Sequence, residues 1–282
     1  MNLRKNVARF LLVGALASTM LLTGCNSKGD GAAAPADSDT LRVGMECDYA
    51  PFNWTQTSEE NGYKIASGGY AGGYDVEIAK KIADSMDKNL EIVKTEWNGL
   101  TPAITSGKID LIIAGMSPTA ERRETLDFSN TYYTSDLVIV VKKDGAYSNA
   151  SSLKDFAGAN ITGQLNTFHY EVIDQIEGVN KSTALETFPA MIVAIRSGKI
   201  DGYVSERPGA LSAVAANDDL TFVAFEEGKG FETSVDDTSI SVGVKKGNTE
   251  LLEKVNDALS KISEEERQSI MEEAVVNQPL GE

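Results

Sequence analysis

The sequence predicts an α/β fold of two lobes, each a mostly parallel sheet flanked by helices, joined by two hinge strands. Three observations predict it. From Leu41 onward, short β-branched runs alternate with longer helical stretches, the pattern of parallel strands covered by helices. The run Ser-Gly-Lys-Ile-Asp occurs at 106–110 and again at 197–201, each time after an apolar helix with a proline near its start and before a strand. Finally, LVIVVKKDG around Val140 and SISVGVKKG around Ile240 echo one another and bracket the second unit. A chain that leaves one lobe, builds another and returns would produce that bracketing, and these two runs are the expected hinge strands.

At the N-terminus, Arg4, Lys5 and Arg9 precede an apolar run from Phe10 to Leu22. It is short for a membrane span and has the zoned order of an export signal. The run ends Leu22-Thr23-Gly24-Cys25, which resembles the bacterial lipobox. That resemblance implies a lipoprotein signal peptide over residues 1–24 and acylation, of the palmitate type, at Cys25, which becomes the lipid attachment point. Residues 25–40 are small and polar and read as a flexible tether. The first lobe then spans 41–142, through LRVGM, VEIAKKIADSM, LEIVKTE, LTPAITSG, IDLIIAGM and LVIVVKK, and resumes over 238–282, ending in amphipathic helical sequence from Thr249 to Glu273. The second lobe, 143–237, contains NITGQ, a helical stretch from Phe168 to Glu177, a helix over Pro189 to Ser197, IDGYVS, a helix from Pro208 to Ala216, and LTFVAF.

Composition excludes several classes. With 282 residues, 41% of them hydrophobic, the chain has ample core material. A formal net charge of −16 argues against nucleic acid or an anionic bilayer surface as the partner. Of the two cysteines, Cys25 is committed to lipid, so Cys47 is left without a disulfide partner and reads as a small buried hydrophobe. A single histidine, His169, with no Walker loop or paired metal-ligand motif, leaves little for a triad or a metal centre. No cofactor, metal or catalytic residue is expected, and nothing indicates oligomerisation; a monomer is expected.

Ligands of open α/β sheets sit beyond the carboxyl ends of the strands, which singles out Gly115 to Arg122 and Ser205 to Arg207. The paired Ser-Gly-Lys-Ile-Asp runs themselves read as helix C-caps, with Gly107 and Gly198 in left-handed backbone. An arginine fork matches a carboxylate bidentately, so Arg122 or Arg123 can clamp an anionic ligand. Both can equally lie on a solvated helix face beside Glu121 or Glu124.

SPTAERRETLDFS followed by YY, together with YAPFNW, GYDVEIAKKIA and WNGLTPAITSGKIDLIIAGMSPT, resembles the polar amino acid family (family 3) of extracellular solute-binding proteins of ABC transporters, over the whole stretch from Leu41 to the C-terminus. The resemblance implies the type II periplasmic-binding-protein-like fold and a free L-amino acid bound between the lobes by hinge closure. It also implies handover to ABC permease and ATPase subunits, at an extracytoplasmic, lipid-anchored location, on the outer face of a Gram-positive-type membrane or on its periplasmic side. It assigns Arg122 to the ligand carboxylate, with Gly115 and Ser117 at the same turn, and leaves Arg123 at the surface. Glu206, where the family usually has aspartate, meets the ligand ammonium. Thr167 matches a carboxylate-holding threonine, and Asn166 stands where glycine is usual. Tyr49, Phe52 and Trp97 form the wall for the ligand side chain, and His169 can face the cleft. Glu46 occupies the position of an acid that meets the cationic side chain in lysine-, arginine- and histidine-binding relatives, which points to a basic or polar amino acid. Alternatively, Glu46 is solvated or paired with a surface lysine. The rival reading on the same fold is an enzyme of cyclohexadienyl dehydratase type; a fused lytic transglycosylase would need a longer chain.

Overall fold

The computed structural model describes residues 39–279. The signal peptide, Cys25 and all of the tether before Asp39 lie outside the described residues. The first lobe opens with β1 (Thr40–Met45), β2 (Asp48–Tyr49), β3 (Asn53–Gln56), β4 (Tyr63–Lys64), β5 (Tyr70–Gly72) and α1 (Tyr74–Ser85). It continues with β6 (Asn89–Lys94), α2 (Trp97–Thr105), β7 (Leu111–Ile112), α3 (Ala120–Thr125) and β8 (Leu126–Thr134). The second lobe holds β9 (Leu137–Lys142), β10 (Asn160–Thr162), α4 (Phe168–Glu171), β11 (Asn180–Lys181), α5 (Phe188–Arg196), β12 (Gly202–Glu206), α6 (Arg207–Ala216) and β13 (Leu220–Val223). After α7 (Val235–Thr238), β14 (Ser239–Lys245), α8 (Thr249–Ser260) and α9 (Glu264–Asn277) complete the first lobe.

One sheet has the order β6-β1-β7-β14-β8 and the other β11-β10-β12-β9-β13, with a small antiparallel sheet β2-β3-β5-β4 beside the first. In each main sheet four strands run in one direction, and one antiparallel strand, β14 or β9, lies second from the edge among them. That equivalence is the structural content of the echo between the two apolar runs. It also moves a boundary. Leu137–Lys142, expected within the first lobe, pairs with β12 and β13 of the second sheet. A fully buried apolar strand carries no mark of which sheet it joins. The crossings therefore lie between Thr134 and Leu137 and at Thr238–Ser239, where the Ser135 N–H donates to the Thr238 carbonyl at 3.0 Å.

The repeated Ser-Gly-Lys-Ile-Asp runs do the same work twice. Gly107 (φ 78°) and Gly198 (φ 72°) end α2 and α5 in left-handed backbone, and the following lysine N–H groups cap Ala103 and Ala194 at 2.9 and 3.0 Å. Asp110 Oδ2 then accepts the Arg42 N–H at 2.9 Å, and Asp201 Oδ2 accepts the Asn160 N–H at 2.8 Å. Each aspartate thus pins the start of the neighbouring parallel strand, and each strand, so anchored, delivers its far end to the space between the sheets. Among the described residues no helix is long and apolar enough to cross a membrane.

Candidate interlobe site

The site is built from loops at the carboxyl ends of β1, β7 and β12. Beyond β1 the chain turns at Cys47, whose φ of 54° is held by Asn53 Oδ1 accepting its N–H at 2.7 Å. Asn53 Nδ2 in turn donates to Asp75 Oδ2 at 2.8 Å, and the Tyr132 hydroxyl donates to Asp75 Oδ1 at 2.7 Å. The backbone N–H of Gly115 binds the same carboxylate. Burial pushes Asp75 up to about 6, against the opposing pull of these hydrogen bonds. One buried carboxylate therefore ties the loop after β1 to the loop after β7. Gly115 sits at φ 59°, and a Cβ there would stand 3.0 Å from the Tyr49 ring, so a side chain would be strained and would press on that ring.

Tyr49 is buried 5.0 Å from Phe52, centroid to centroid, and stacks at 4.2 Å on Phe188 of the second lobe. Its hydroxyl donates to Glu206 Oε2. Glu206 ends β12 with 2% of its surface exposed, and its Oε1 lies 3.3 Å from His169 Nε2. Burial pushes Glu206 up to about 8. It pushes His169 down to about 3, with the Arg122 charge acting in the same direction. Glu46 is 5% exposed, and both its oxygens accept from Gln164 Nε2, at 3.1 and 3.2 Å. It is neither solvated nor paired with a surface lysine. Burial raises it to about 7, the Gln164 hydrogen bond working the other way.

Thr119 caps α3 by accepting the Arg122 N–H, which aims the Arg122 side chain back along the turn. Its Nη1 donates to the Ser117 carbonyl at 2.9 Å, its Nη2 reaches the Asn166 carbonyl at 3.5 Å, and its guanidinium lies 5.0 Å over the Trp97 ring. Burial lowers Arg122 to about 10, still cationic at neutral pH. Trp97 Nε1 also donates to the Asn166 carbonyl, at 3.3 Å. Asn166 takes φ 58°, a conformation that asparagine tolerates better than most residues; this accounts for asparagine in a glycine's place. The Ser117 hydroxyl is engaged with the Asp237 carbonyl at 2.9 Å, and the Thr167 hydroxyl with the Gln164 carbonyl at 2.7 Å. A groove of about 780 Å3 opens on Arg122, Trp97, Asn98, Asn166, Phe168 and Asp237.

The expected residues thus fall into linked sets. Gly115, Phe52, Tyr49, Glu206 and His169 form one chain of contacts. Ser117, Arg122, Trp97 and Asn166 form another, while Glu46 and Thr167 meet at Gln164. The expected three-ring wall divides. Tyr49 and Phe52 pack together, whereas Trp97, half-exposed at the start of α2, lies under Arg122 instead. Arg123 is exposed, 3.4 Å from Asp236, as read from the sequence. Gln164, Phe188 and Asp75 were not singled out by sequence reasoning. Asp75 lies within GYDVEIAKKIA, where it reads as an acidic helix start, and Phe188 precedes Pro189 as an ordinary core residue would.

Bacterial extracellular solute-binding proteins, family 3, match this chain over residues 41–275. The arginine-binding extracellular protein ArtP of Bacillus subtilis is 30% identical over 256 residues, covering 90% of this chain and 92% of that protein. A probable histidine-binding protein of Neisseria gonorrhoeae is 29% identical over 273 residues, covering 94% and 92%. Among solved structures, the amino acid ABC transporter substrate-binding protein AbpA of Streptococcus pneumoniae, bound to L-arginine, aligns with a TM-score of 0.72 at 28% identity, covering 84% of this chain and 95% of that one.

Proposed function

This chain belongs to the bacterial extracellular solute-binding proteins, family 3, and from that premise we propose that it binds a free L-amino acid, of basic or polar type, between its lobes and delivers it to an ABC importer. The observation that carries this reading is the placement of an arginine, Arg122, on the first lobe and a buried acid, Glu206, on the second. Arg122 of the first lobe takes the carboxylate and Glu206 of the second takes the ammonium of one zwitterion. Closure then follows from differential binding, since only the closed arrangement gives both ends of the ligand a partner. A ligand lacking either end leaves a buried charge unpaired, which is the basis of selectivity.

Glu46 supports a cationic ligand side chain, because it is buried with a neutral amide as its hydrogen-bonding partner. The relatives named for arginine and histidine support the same class. In this reading Asn166 and Thr167 assist at the carboxylate end, Cys25 carries the lipid that holds the protein at the outer face of the membrane, and permease and ATPase subunits receive the closed form. The test is a thermal-shift panel of the common amino acids on the purified, ligand-stripped chain. A ligand at 100 times its Kd adds about 2.7 kcal/mol. Stabilisation by arginine, lysine, ornithine or histidine that disappears in Arg122→Ala is the expected result; no stabilisation by any amino acid would sink the reading. The enzymatic rival predicts turnover of prephenate or arogenate, and its absence beside tight amino acid binding excludes it.

A further inference from the structure

Among the described residues, His169 is the buried side chain of the site whose ring nitrogens lack hydrogen-bond partners. Its side chain is 6% exposed, its ring packs 4.4 Å from Phe168 and edge-on to Phe188, and neither ring nitrogen has a hydrogen-bond partner among the described residues. A buried polar atom without a partner is costly enough to require an explanation. Beside it, Glu206 Oε1 lies 3.3 Å from Nε2 without a hydrogen bond between them, while Oε2 is engaged by the Tyr49 hydroxyl. Burial keeps the imidazole neutral at physiological pH, so one of its nitrogens is a lone-pair acceptor.

We propose that His169 and Glu206 together form a two-acceptor seat for a primary ammonium group, and that His169 is the residue that distinguishes primary from N-substituted amines. This rests on the reading that Glu206 receives the ligand ammonium. A primary ammonium brings three N–H donors into the cleft and needs an acceptor for each. Glu206 Oε1, His169 and the Tyr49 hydroxyl oxygen, a donor to Glu206 that keeps free lone pairs, are clustered to supply them. A secondary ammonium presents one donor fewer. Its alkyl group must then lie against an unbonded imidazole nitrogen whose ring is packed on Phe168 and Phe188.

The experiment is isothermal titration of the full chain with L-arginine and with Nα-methyl-L-arginine, on the unmodified protein and on His169→Phe, His169→Ala and His169→Gln, each checked for a cooperative unfolding transition. The unmodified protein should prefer the primary amine by about tenfold or more, the range for one unmet buried hydrogen bond. His169→Phe and His169→Ala should lose most of that preference. His169→Gln, whose amide oxygen is again an acceptor, should keep it. Undiminished discrimination in whichever of the Phe and Ala variants folds would overturn the inference while leaving amino acid binding intact. So would tight binding of both probes by the unmodified protein. If the unmodified protein binds neither probe nor any other amino acid, the reading beneath the inference fails and takes it along.

Discussion

Gln164 Nε2 donates to both carboxylate oxygens of Glu46, at 3.1 and 3.2 Å, and so joins the loop after β10 in one sheet to the loop after β1 in the other. The same amide donates to the Glu186 carbonyl at 3.0 Å, which fixes its orientation. A buried acid met only by a neutral amide keeps lone pairs and charge available to a cation. Glu46→Gln is therefore expected to weaken arginine binding by about tenfold or more, the scale of a charge-assisted hydrogen bond, while glutamine binding changes little. Calorimetric titration of both ligands checks this, and equal losses for the two would place Glu46 outside side-chain recognition.

Arg122→Lys keeps the positive charge but gives up the planar fork. Ligand affinity should fall by about tenfold, with a further fall in Arg122→Ala, because hydrogen bonds to charged groups contribute about 1.5–3 kcal/mol. Fold stability should move much less, since the protein contacts of Arg122 are two backbone carbonyls and the Trp97 ring. Lysine binding as tightly as arginine at this position would argue against bidentate capture.

Gly115→Ala places a Cβ 3.0 Å from Tyr49 at a φ of 59°. The left-handed backbone alone costs about 1–3 kcal/mol for a residue other than glycine. The displaced Tyr49 ring also loosens its contact with Glu206. Denaturant unfolding should show the stability loss and titration a weaker ligand, both in one variant. A change in stability alone would separate the turn from binding.

The stability of the ligand-free chain should fall as pH rises from 6.5 toward 8. Glu46 and Glu206, raised by burial to about 7 and about 8 from the ordinary carboxyl value of 4.5, hold protons in the folded state that the unfolded chain has released. Their contribution is fully present below 4.5 and is lost as pH rises through those folded values. His169, lowered to about 3, acts in the opposite sense, but its contribution is complete above 6.5. Urea unfolding across this range should give the falling slope, and Glu206→Gln should flatten it. A stability flat or rising with pH would contradict these protonation states.

Asp110→Ala and Asp201→Ala should each destabilise the fold by about 1–3 kcal/mol, because Asp110 accepts from the Arg42 N–H and pairs with its guanidinium, and Asp201 accepts from both the backbone and the side-chain amide of Asn160. Each frees the start of one parallel strand. Ligand affinity should be unchanged in both, and a selective loss of binding in either would mean that the repeated run reaches the site.

Much of this arrangement was legible because it depends on local spacing. The helix-Gly-Lys-Ile-Asp-strand units are read from C-cap chemistry and periodicity, and they alone locate the strand ends from which Gly115 and Glu206 project. Asn166 shows where reading from resemblance is incomplete. The departure from glycine looks like a loss until φ 58° shows that the position keeps the glycine-like conformation. The family resemblance placed Trp97 in the same wall as Tyr49. Only the path of α2 separates them.

The sequence by itself determined two α/β units and their internal repetition, because helix and strand periods, cap residues and strand-end loops are properties of neighbouring residues, whereas the choice of Arg122 in the first and Glu206 in the second came from the family resemblance. Only the tertiary structure decided that β9 belongs to the second sheet, that Gln164 meets Glu46, that Phe188 stacks on Tyr49, and that Asp75 holds Gly115. Each of these joins residues far apart in the chain. Their partners are selected by which faces the packed core brings within hydrogen-bonding or van der Waals distance, and no local pattern along the chain encodes that.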